Sequence, residues 1–333
     1  MPPSLPTPLR ATIVTPAPRR SRQGNRVTAL RWAALLRRLG ARVRVVERWH
    51  GEACDLLVAV HAVKSGDSVL AAASAVPGLR VVVLLAGTDI YPRFAPDAAT
   101  LAALARADAL VALQPRAIDS LPGNLQAKAR TIVQSAAVAP RPRPIGVFQA
   151  CILAHLRAVK NPLLAARALA LLPRDLPLHL HLAGEARTAP LADAARAAAA
   201  ADPRFRWHGS LPRRQALALL AESHACIVAS AAEGGANVVS EAIACGTPVL
   251  ATAVPGNLGL LGDDWPALFA VDDAAALAAL LERAATDSAF HQLLVARTRD
   301  LQPMVDPRHE LAAWRRLLSD LSLPANGADD ATR

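Results

Sequence analysis

ACIVASAAEGGANVVSEAIACGTPVLAT, residues 225–252, reads as one complete strand–helix–strand unit. ACIVAS (225–230) is short and almost wholly apolar, as expected of a parallel strand covered on both faces. AAEGGAN (231–237) is a loop with two adjacent glycines, VVSEAIACG (238–246) is a helix, and Gly246-Thr-Pro stops it. PVLAT (248–252) is then the next buried strand. A strand that returns through a helix to lie parallel to its predecessor builds an α/β sheet.

The same alternation extends in both directions. RATIVT (10–15), RVRVVE (42–47), DLLVAV (55–60), RVVVLLA (80–86), ALVALQ (109–114) and RTIVQS (130–135) are strand candidates in the first half. IGVFQACILA (145–154), LHLHLAG (178–184) and FRWHG (205–209) precede the opening unit in the second. Between them lie helical patterns. In NRVTALRWAALLRRLG (25–40), Val27, Leu30, Ala34, Leu35 and Leu39 fall on one face and Gly40 ends the run. Residues 136–144, AAVAPRPRP, place three prolines in five positions, which neither a helix nor a central strand accepts. The expected organisation is an N-terminal Rossmann-like domain over 1–140 and a C-terminal one over 145–305. A last helix and tail over 306–333 pack back on the first domain. Two doubly wound domains facing each other place a ligand outside the carboxyl ends of the strands, in the cleft between them.

Composition removes several classes. With 333 residues and 53% apolar content, the chain has material for two cores and is not a disordered sequence. No run approaches the roughly 20 apolar residues of a membrane helix. MPPSLPTPLR (1–10) lacks a charged stretch followed by an apolar one, so no signal peptide is expected, and the expected location is cytoplasmic. Cys54, Cys151, Cys226 and Cys245 are scattered in apolar segments without metal-ligand spacing, the pattern of reduced core thiols. The net charge of +10 invites a nucleic-acid reading. It fails for lack of partners: the basic residues are nearly all arginine, one tyrosine is present, and no basic block is interleaved with aromatics. The surplus charge suits anionic small substrates instead. No G-x-G-x-x-G follows a strand and no G-x-x-x-x-G-K-[ST] occurs, so dehydrogenases and P-loop enzymes have no fingerprint.

The polar residues at strand ends carry the chemistry. The amides of Gly235, Ala236 and Asn237 lie at a helix N-terminus, where dipole and unpaired N–H groups favour an anion, and Gly234 with Gly235 lets a ligand approach the backbone. Glu241, one turn in, offers two oxygens to a vicinal diol such as a ribose. Glu233 lies on the loop before. Read as helix, the separation of these acids spans about 12 Å, longer than the roughly 5–9.5 Å of a glycosidase pair. An extended ligand fits better; a solvated loop acid and an incidental helical one is the plainer alternative. In LAHLRAVKNPLLAARAL (153–169), Arg157 and Lys160 follow a strand, and Asn161-Pro162 opens the next helix. A guanidinium fork and an ammonium there suit a diphosphate, or are two exposed cations. In the first half, Gly24 permits close approach and Asn25 is a candidate helix cap, with Arg19, Arg20 and Arg22 beside them. Thr88 and Asp89 end the strand of VVVLLAGTDIYP (81–92), as site groups or as turn residues. His61 and Lys64 follow DLLVAV.

Together these residues resemble the GT-B glycosyltransferases, in particular the large nucleotide-sugar family numbered four. EGGANVVSE matches its E-x7-E motif and LAHLRAVKNP its Arg/Lys phosphate loop. The resemblance implies that Glu241 holds a ribose, that Arg157 and Lys160 hold the diphosphate, and that Glu233 with the 234–237 amides holds the sugar. Gly24 and Asn25 would lie near phosphates or acceptor. It also makes Glu233, Arg157, Lys160 and Asp89 catalytic candidates, and Gly24, Asn25, Arg22, Thr88, His61 and Lys64 acceptor-side ones. TPAPRRSRQGNRVTALRWAALLRRLG, HAVKSGDSV, AGTDIY and VPGNLGLLG are similar to stretches of the selenosugar synthases of selenoneine biosynthesis. That similarity implies a UDP-sugar donor, UDP-GlcNAc or UDP-glucose, and selenophosphate as acceptor. The alternative is a family-four enzyme with a sugar, lipid or small-molecule hydroxyl acceptor. Many family members carry a histidine where Ala86 stands here. No essential metal, no resident cofactor, no nucleic acid and no stable membrane association are expected, and the oligomeric state is open.

Overall fold

The computed structural model describes residues 8–21, 23–87, 89–91 and 94–325. The chain divides into two compact units. One runs to Gln134 and resumes at Arg308, and the other is Ser135–Pro307.

The first unit holds β1 (Arg10–Val14), β2 (Arg42–Val46), β3 (Leu56–Val60), β4 (Arg80–Leu85), β5 (Ala109–Ala112) and β6 (Ala129–Thr131). They form one parallel sheet in the order β2-β1-β3-β4-β5-β6. Val-, Leu- and Ala-rich strands suit this placement, because β3 is buried on both faces along its whole length. The second unit holds β7 (Phe148–Leu153), β8 (Leu178–Ala183), β9 (Phe205–Trp207), β10 (Ala225–Val228), β11 (Val249–Thr252) and β12 (Leu268–Phe269). Its parallel sheet runs β12-β11-β10-β7-β8-β9. Two parallel six-stranded α/β sheets are the expected doubly wound arrangement. The strands end before the apolar runs do: Gln114, Ser135 and Ser230 leave the ladders but remain buried under the loops that follow. β12 was not legible because two residues carry no periodicity.

Both ends of the opening unit match their chemistry. The helix Asn237–Cys245 stops at Gly246, whose φ of 72° lies in the left-handed region where a side chain is disfavoured. Cys151 and Cys226 are register partners on β7 and β10, and all four cysteines are buried thiols.

The helix Pro307–Asp320 belongs to the core of the first unit. Trp314, Leu317, Leu318 and Leu321 join Trp32, Ala33 and Leu36 of the helix Gly24–Arg38 in one apolar cluster. The rings of Trp32 and Trp314 meet edge-on, 4.8 Å apart at 76°, a contact worth about 0.5–1.5 kcal/mol beyond burial. Trp32 Nε1 donates to the buried Glu310 at 2.8 Å. The proline-rich stretch 136–144 has no regular structure. Arg143 anchors it by donating to the Ser223 and Gly246 carbonyls at 2.9 and 2.7 Å.

Two histidines of the second unit make its stability pH-dependent. His181 Nδ1 and His208 Nε2 lie 2.9 Å apart and share one proton. Burial, then the His208 charge, pushes His181 down to about 4. Burial and the His291 charge push His224, stacked on Phe148, down to about 4 as well. An unfolded histidine titrates near 6.5, so between about pH 6.5 and 4 the unfolded chain binds more protons than the folded one. The stability is therefore fully present above about 6.5 and lost as pH falls toward 4. Urea unfolding should show a midpoint that drops through this window. A midpoint flat from pH 7 to 4.5 would contradict the burial of these rings.

Candidate active site

In the second sheet the strand order reverses between β7 and β10, with β8 and β9 on one side and β11 and β12 on the other. At such a point adjacent loops diverge and leave a crevice outside the carboxyl ends of the strands. The loops after β7 and β10 carry Arg157, Lys160, Glu233 and the residues 234–237.

Beyond β7, Leu156 bridges to Ala186 and the chain makes a 3-10 turn, Ala158–Lys160. Asn161 ends the turn at φ 41°, with its amide donating to Asp272 at 3.0 Å. That left-handed step postpones the next helix: it runs Leu164–Leu169 rather than opening at Asn161-Pro162. Lys160 is thereby held on a tight turn, and its Nζ donates to the Glu233 carboxylate. Ser230 Oγ donates to the same oxygen at 2.5 Å. The Ala231 N–H donates to the Val159 carbonyl at 2.9 Å, so the two loops are joined through backbone as well as through charge. Glu233 is only 8% exposed, a burial that a carboxylate tolerates with a cation and a hydroxyl on it.

Ala236 is the residue before the helix Asn237–Cys245. It has no side chain that can cap, and the first turn contains no acid, so the positive end of the helix is uncompensated by its own sequence. Glu241 lies on the next turn, buried, and accepts a hydrogen bond from Arg213 Nη2 at 2.7 Å. Arg213 was missed by sequence reasoning. It opens the helix Arg213–Glu222 after Pro212, and in an arginine-rich chain nothing in its spacing marks it. Arg157 is exposed, and its side chain has no hydrogen bond or ion pair among the described residues.

The floor of the site is equally constrained. Thr252 Oγ1 at the end of β11 donates to the Ser230 carbonyl at 2.6 Å, and Asn257 Nδ2 donates to the Thr252 carbonyl at 2.9 Å. Gly256 lies so close to Glu233 that a Cβ on it would stand 2.0 Å from the Glu233 carbonyl oxygen. Two buried carboxylates, each with one cation, an open helix end and a free guanidinium therefore converge in the second unit. That set can hold a ligand that is anionic in the middle and carries hydroxyls on either side.

The remaining candidates lie in the first unit. His61 follows β3 at φ 76°, a strained setting for a non-glycine residue costing about 1–3 kcal/mol. Its Nδ1 accepts from the Lys64 N–H at 3.4 Å and lies 3.7 Å from Asp89. Burial lowers the His61 pKa, and the Asp89 charge opposes this. The Asp89 carboxylate is buried and accepts from the N–H groups of Ala62, Ala86 and Gly87 at 2.8, 3.0 and 2.7 Å. It ties the end of β4 to the start of the helix Ala62–Ala75. Lys64 is exposed. Gly24 is the first residue of its helix. Asn25 does not cap it: Gln23 occupies the cap position in extended backbone without a side-chain bond, which puts Asn25 inside the first turn. Arg22 and Thr88 lie outside the described residues.

The family model for glycosyl transferases group 1 matches residues 141–300, the span that contains all of the second-unit geometry. The whole chain has the GT-B fold. Sucrose-phosphate synthase from Thermosynechococcus elongatus superposes with a TM-score of 0.78 at 17% identity, over 95% of this chain and 99% of that one. A glycosyltransferase from Rickettsia africae gives 0.75 at 13% identity, over 95% and 99%. The Anabaena protein HepE, solved with UDP-glucose, gives 0.72 at 15% identity, over 94% and 99%. No curated protein matches the chain in sequence. Among the described residues of this glycosyltransferase fold, no helix is long and apolar enough to cross a membrane.

The packing of Gly256 on Glu233 can be tested directly. Gly256→Ala should destabilise the protein by at least about 1–3 kcal/mol, the usual cost of overpacking, because the atom it meets is backbone. An unchanged urea midpoint would contradict the contact.

Proposed function

We propose that this glycosyltransferase moves a sugar from a UDP-sugar, UDP-GlcNAc or UDP-glucose, to selenophosphate, yielding a 1-seleno-sugar. The observation that carries the donor half is the pairing of Lys160 with Glu233 and of Arg213 with Glu241 around one uncapped helix end. In this reading Glu241 accepts the ribose hydroxyls. Arg157, Lys160 and the amides of 235–237 face the diphosphate, while Glu233 and Gly234 hold the sugar. Structural neighbours support a UDP-sugar: HepE was solved with UDP-glucose and the pneumococcal O-GlcNAc transferase GtfA with UDP and GlcNAc.

The chemistry follows from these parts. The acceptor selenium attacks the anomeric carbon, forming the Se–C bond as the C–O bond to the diphosphate breaks and UDP leaves with the electron pair; attack of water on phosphorus then breaks the P–Se bond, releasing inorganic phosphate and the 1-seleno-sugar. Selenium is a soft nucleophile that requires little help from a base, unlike a sugar hydroxyl. Catalysis then rests on positioning and on stabilising the charge that develops on UDP, which Arg157, Lys160 and the helix end supply. His61, Lys64, Gly24 and Asn25, with Arg22 and Thr88, serve the acceptor side. Asp89, occupied by three backbone amides, acts by fixing His61 rather than by touching substrate. Because cations and a helix dipole offset the diphosphate charge, turnover should survive EDTA.

The selenophosphate half rests on the resemblance of residues 15–40, 61–69, 86–91 and 254–262 to selenosugar synthases. Measuring UDP release from UDP-GlcNAc and UDP-glucose, with and without enzymatically generated selenophosphate, tests both halves. The expected outcome is selenophosphate-dependent release and a sugar product with the selenium isotope pattern. UDP binding without selenophosphate-dependent release would keep the donor half and replace the acceptor by a hydroxyl compound.

A further inference from the structure

Four non-glycine residues stand at positive φ among the described residues, and two of them are bonded to each other across the second unit. Asn161 has φ 41° and Asp272 φ 67°, and the Asn161 amide donates to Asp272 Oδ1 at 3.0 Å. Glycine makes a left-handed step most freely, and asparagine and aspartate tolerate it next best. These two differ from glycine in bringing a polar side chain, and here each side chain holds the other residue.

Asn161 closes the turn that carries both cations of the donor site. The Arg157 carbonyl accepts from the N–H groups of Lys160 and Asn161 at 3.0 and 3.2 Å, and the Ala158 carbonyl accepts from the Asn161 N–H at 3.1 Å. The Asn161 carbonyl in turn accepts from the Leu164 N–H at 3.1 Å. The directions in which Arg157 and Lys160 leave the backbone therefore depend on the conformation of Asn161. Asp272 comes from elsewhere, the loop between the edge strand β12 and the helix Ala274–Thr286. It is not needed to start that helix, because Asp273 caps it by accepting from the Ala276 N–H at 2.8 Å. Its carboxylate instead receives Asn161 and, on the same oxygen, Arg167 of the helix Leu164–Leu169. One oxygen thus holds the chain on both sides of the step from turn to helix.

We infer that Asp272 is a positioning residue for the donor diphosphate: by holding Asn161 left-handed, it fixes how Arg157 and Lys160 face the phosphates. The inference rests on the donor half of the proposed function. Asp272 acts through Asn161 and touches no substrate. A glycine at 161 would permit the same backbone without the bond that restricts it, and cations fixed in advance bind a ligand without the cost of ordering them.

The test is calorimetric binding of UDP and of uridine to the full chain. UDP brings a diphosphate to the turn, whereas uridine shares the base and ribose and lacks it. Asn161→Gly and Asp272→Gly each keep a residue suited to positive φ and remove the bond. Each should weaken UDP binding by about threefold to tenfold, the usual worth of one hydrogen bond, and leave uridine binding unchanged. The double variant should bind UDP no more weakly than the weaker of the two, since both changes remove the same bond. Asp272→Asn, whose amide oxygen still accepts from Asn161, should bind UDP at the wild-type level. Unchanged UDP affinity in both glycine variants, or UDP and uridine weakened alike, overturns the positioning role and leaves the donor site standing. Additive losses in the double variant overturn the shared bond as the cause. A wild type that binds neither UDP nor uridine overturns the donor reading itself, and this inference with it.

Discussion

The second unit depends on one buried carboxylate. Glu233 sits on the loop after β10 at 8% exposure, and its answering cation comes from a different strand's loop. A carboxylate taken from water without partners is strongly unfavourable, so Lys160 and Ser230 define where both loops can lie. The rest follows from that constraint. Val159 and Ala231 pair through backbone, Asn161 turns left-handed to end the lysine's turn, and Gly256 is required because any side chain would strike Glu233. The helix Asn237–Cys245 then starts from a fixed loop, after Ala236, which has no capping side chain.

The charged groups of the two units fall into three kinds. Glu233 and Glu241 are buried with one cation each and keep acceptor capacity for a ligand. Asp89 is saturated by backbone amides and belongs to the framework that holds His61 at positive φ. Arg26 is the converse case: it is buried, and its Nε has no hydrogen-bond partner among the described residues. Where the sheet order reverses, neither unit carries an acid in the first turn of the helix that follows.

Much of this architecture was legible in the residues. Continuous apolar runs announced parallel strands, and Gly246 and the prolines of 136–144 marked where elements stop. Glu233 was visible beside the Gly234-Gly235 step, Glu241 one turn into the helix that follows, and Arg157 and Lys160 directly after a strand. Other features had no local signal. Arg213 reaches Glu241 from another helix, and a contact between distant segments leaves no spacing in an arginine-rich chain. Arg26 was hidden for the opposite reason: inside an amphipathic pattern it reads as a solvated surface residue, and only its burial makes it unusual. Asn25 misled because cap preference competes with the extended backbone at Gln23, and backbone geometry decided.

The central claim is that Glu241, pinned by Arg213, accepts the diol of a ribose. Its most direct measurement is calorimetric binding of UDP against 2′,3′-dideoxy-UDP to the wild-type chain and to Glu241→Ala. Each good hydrogen bond to a charged group is worth about 1.5–3 kcal/mol, so UDP should bind the wild type at least tenfold more tightly than the dideoxy compound. In Glu241→Ala that preference should vanish. Equal affinity of the wild type for both nucleotides, or a preference that survives the substitution, would contradict the assignment.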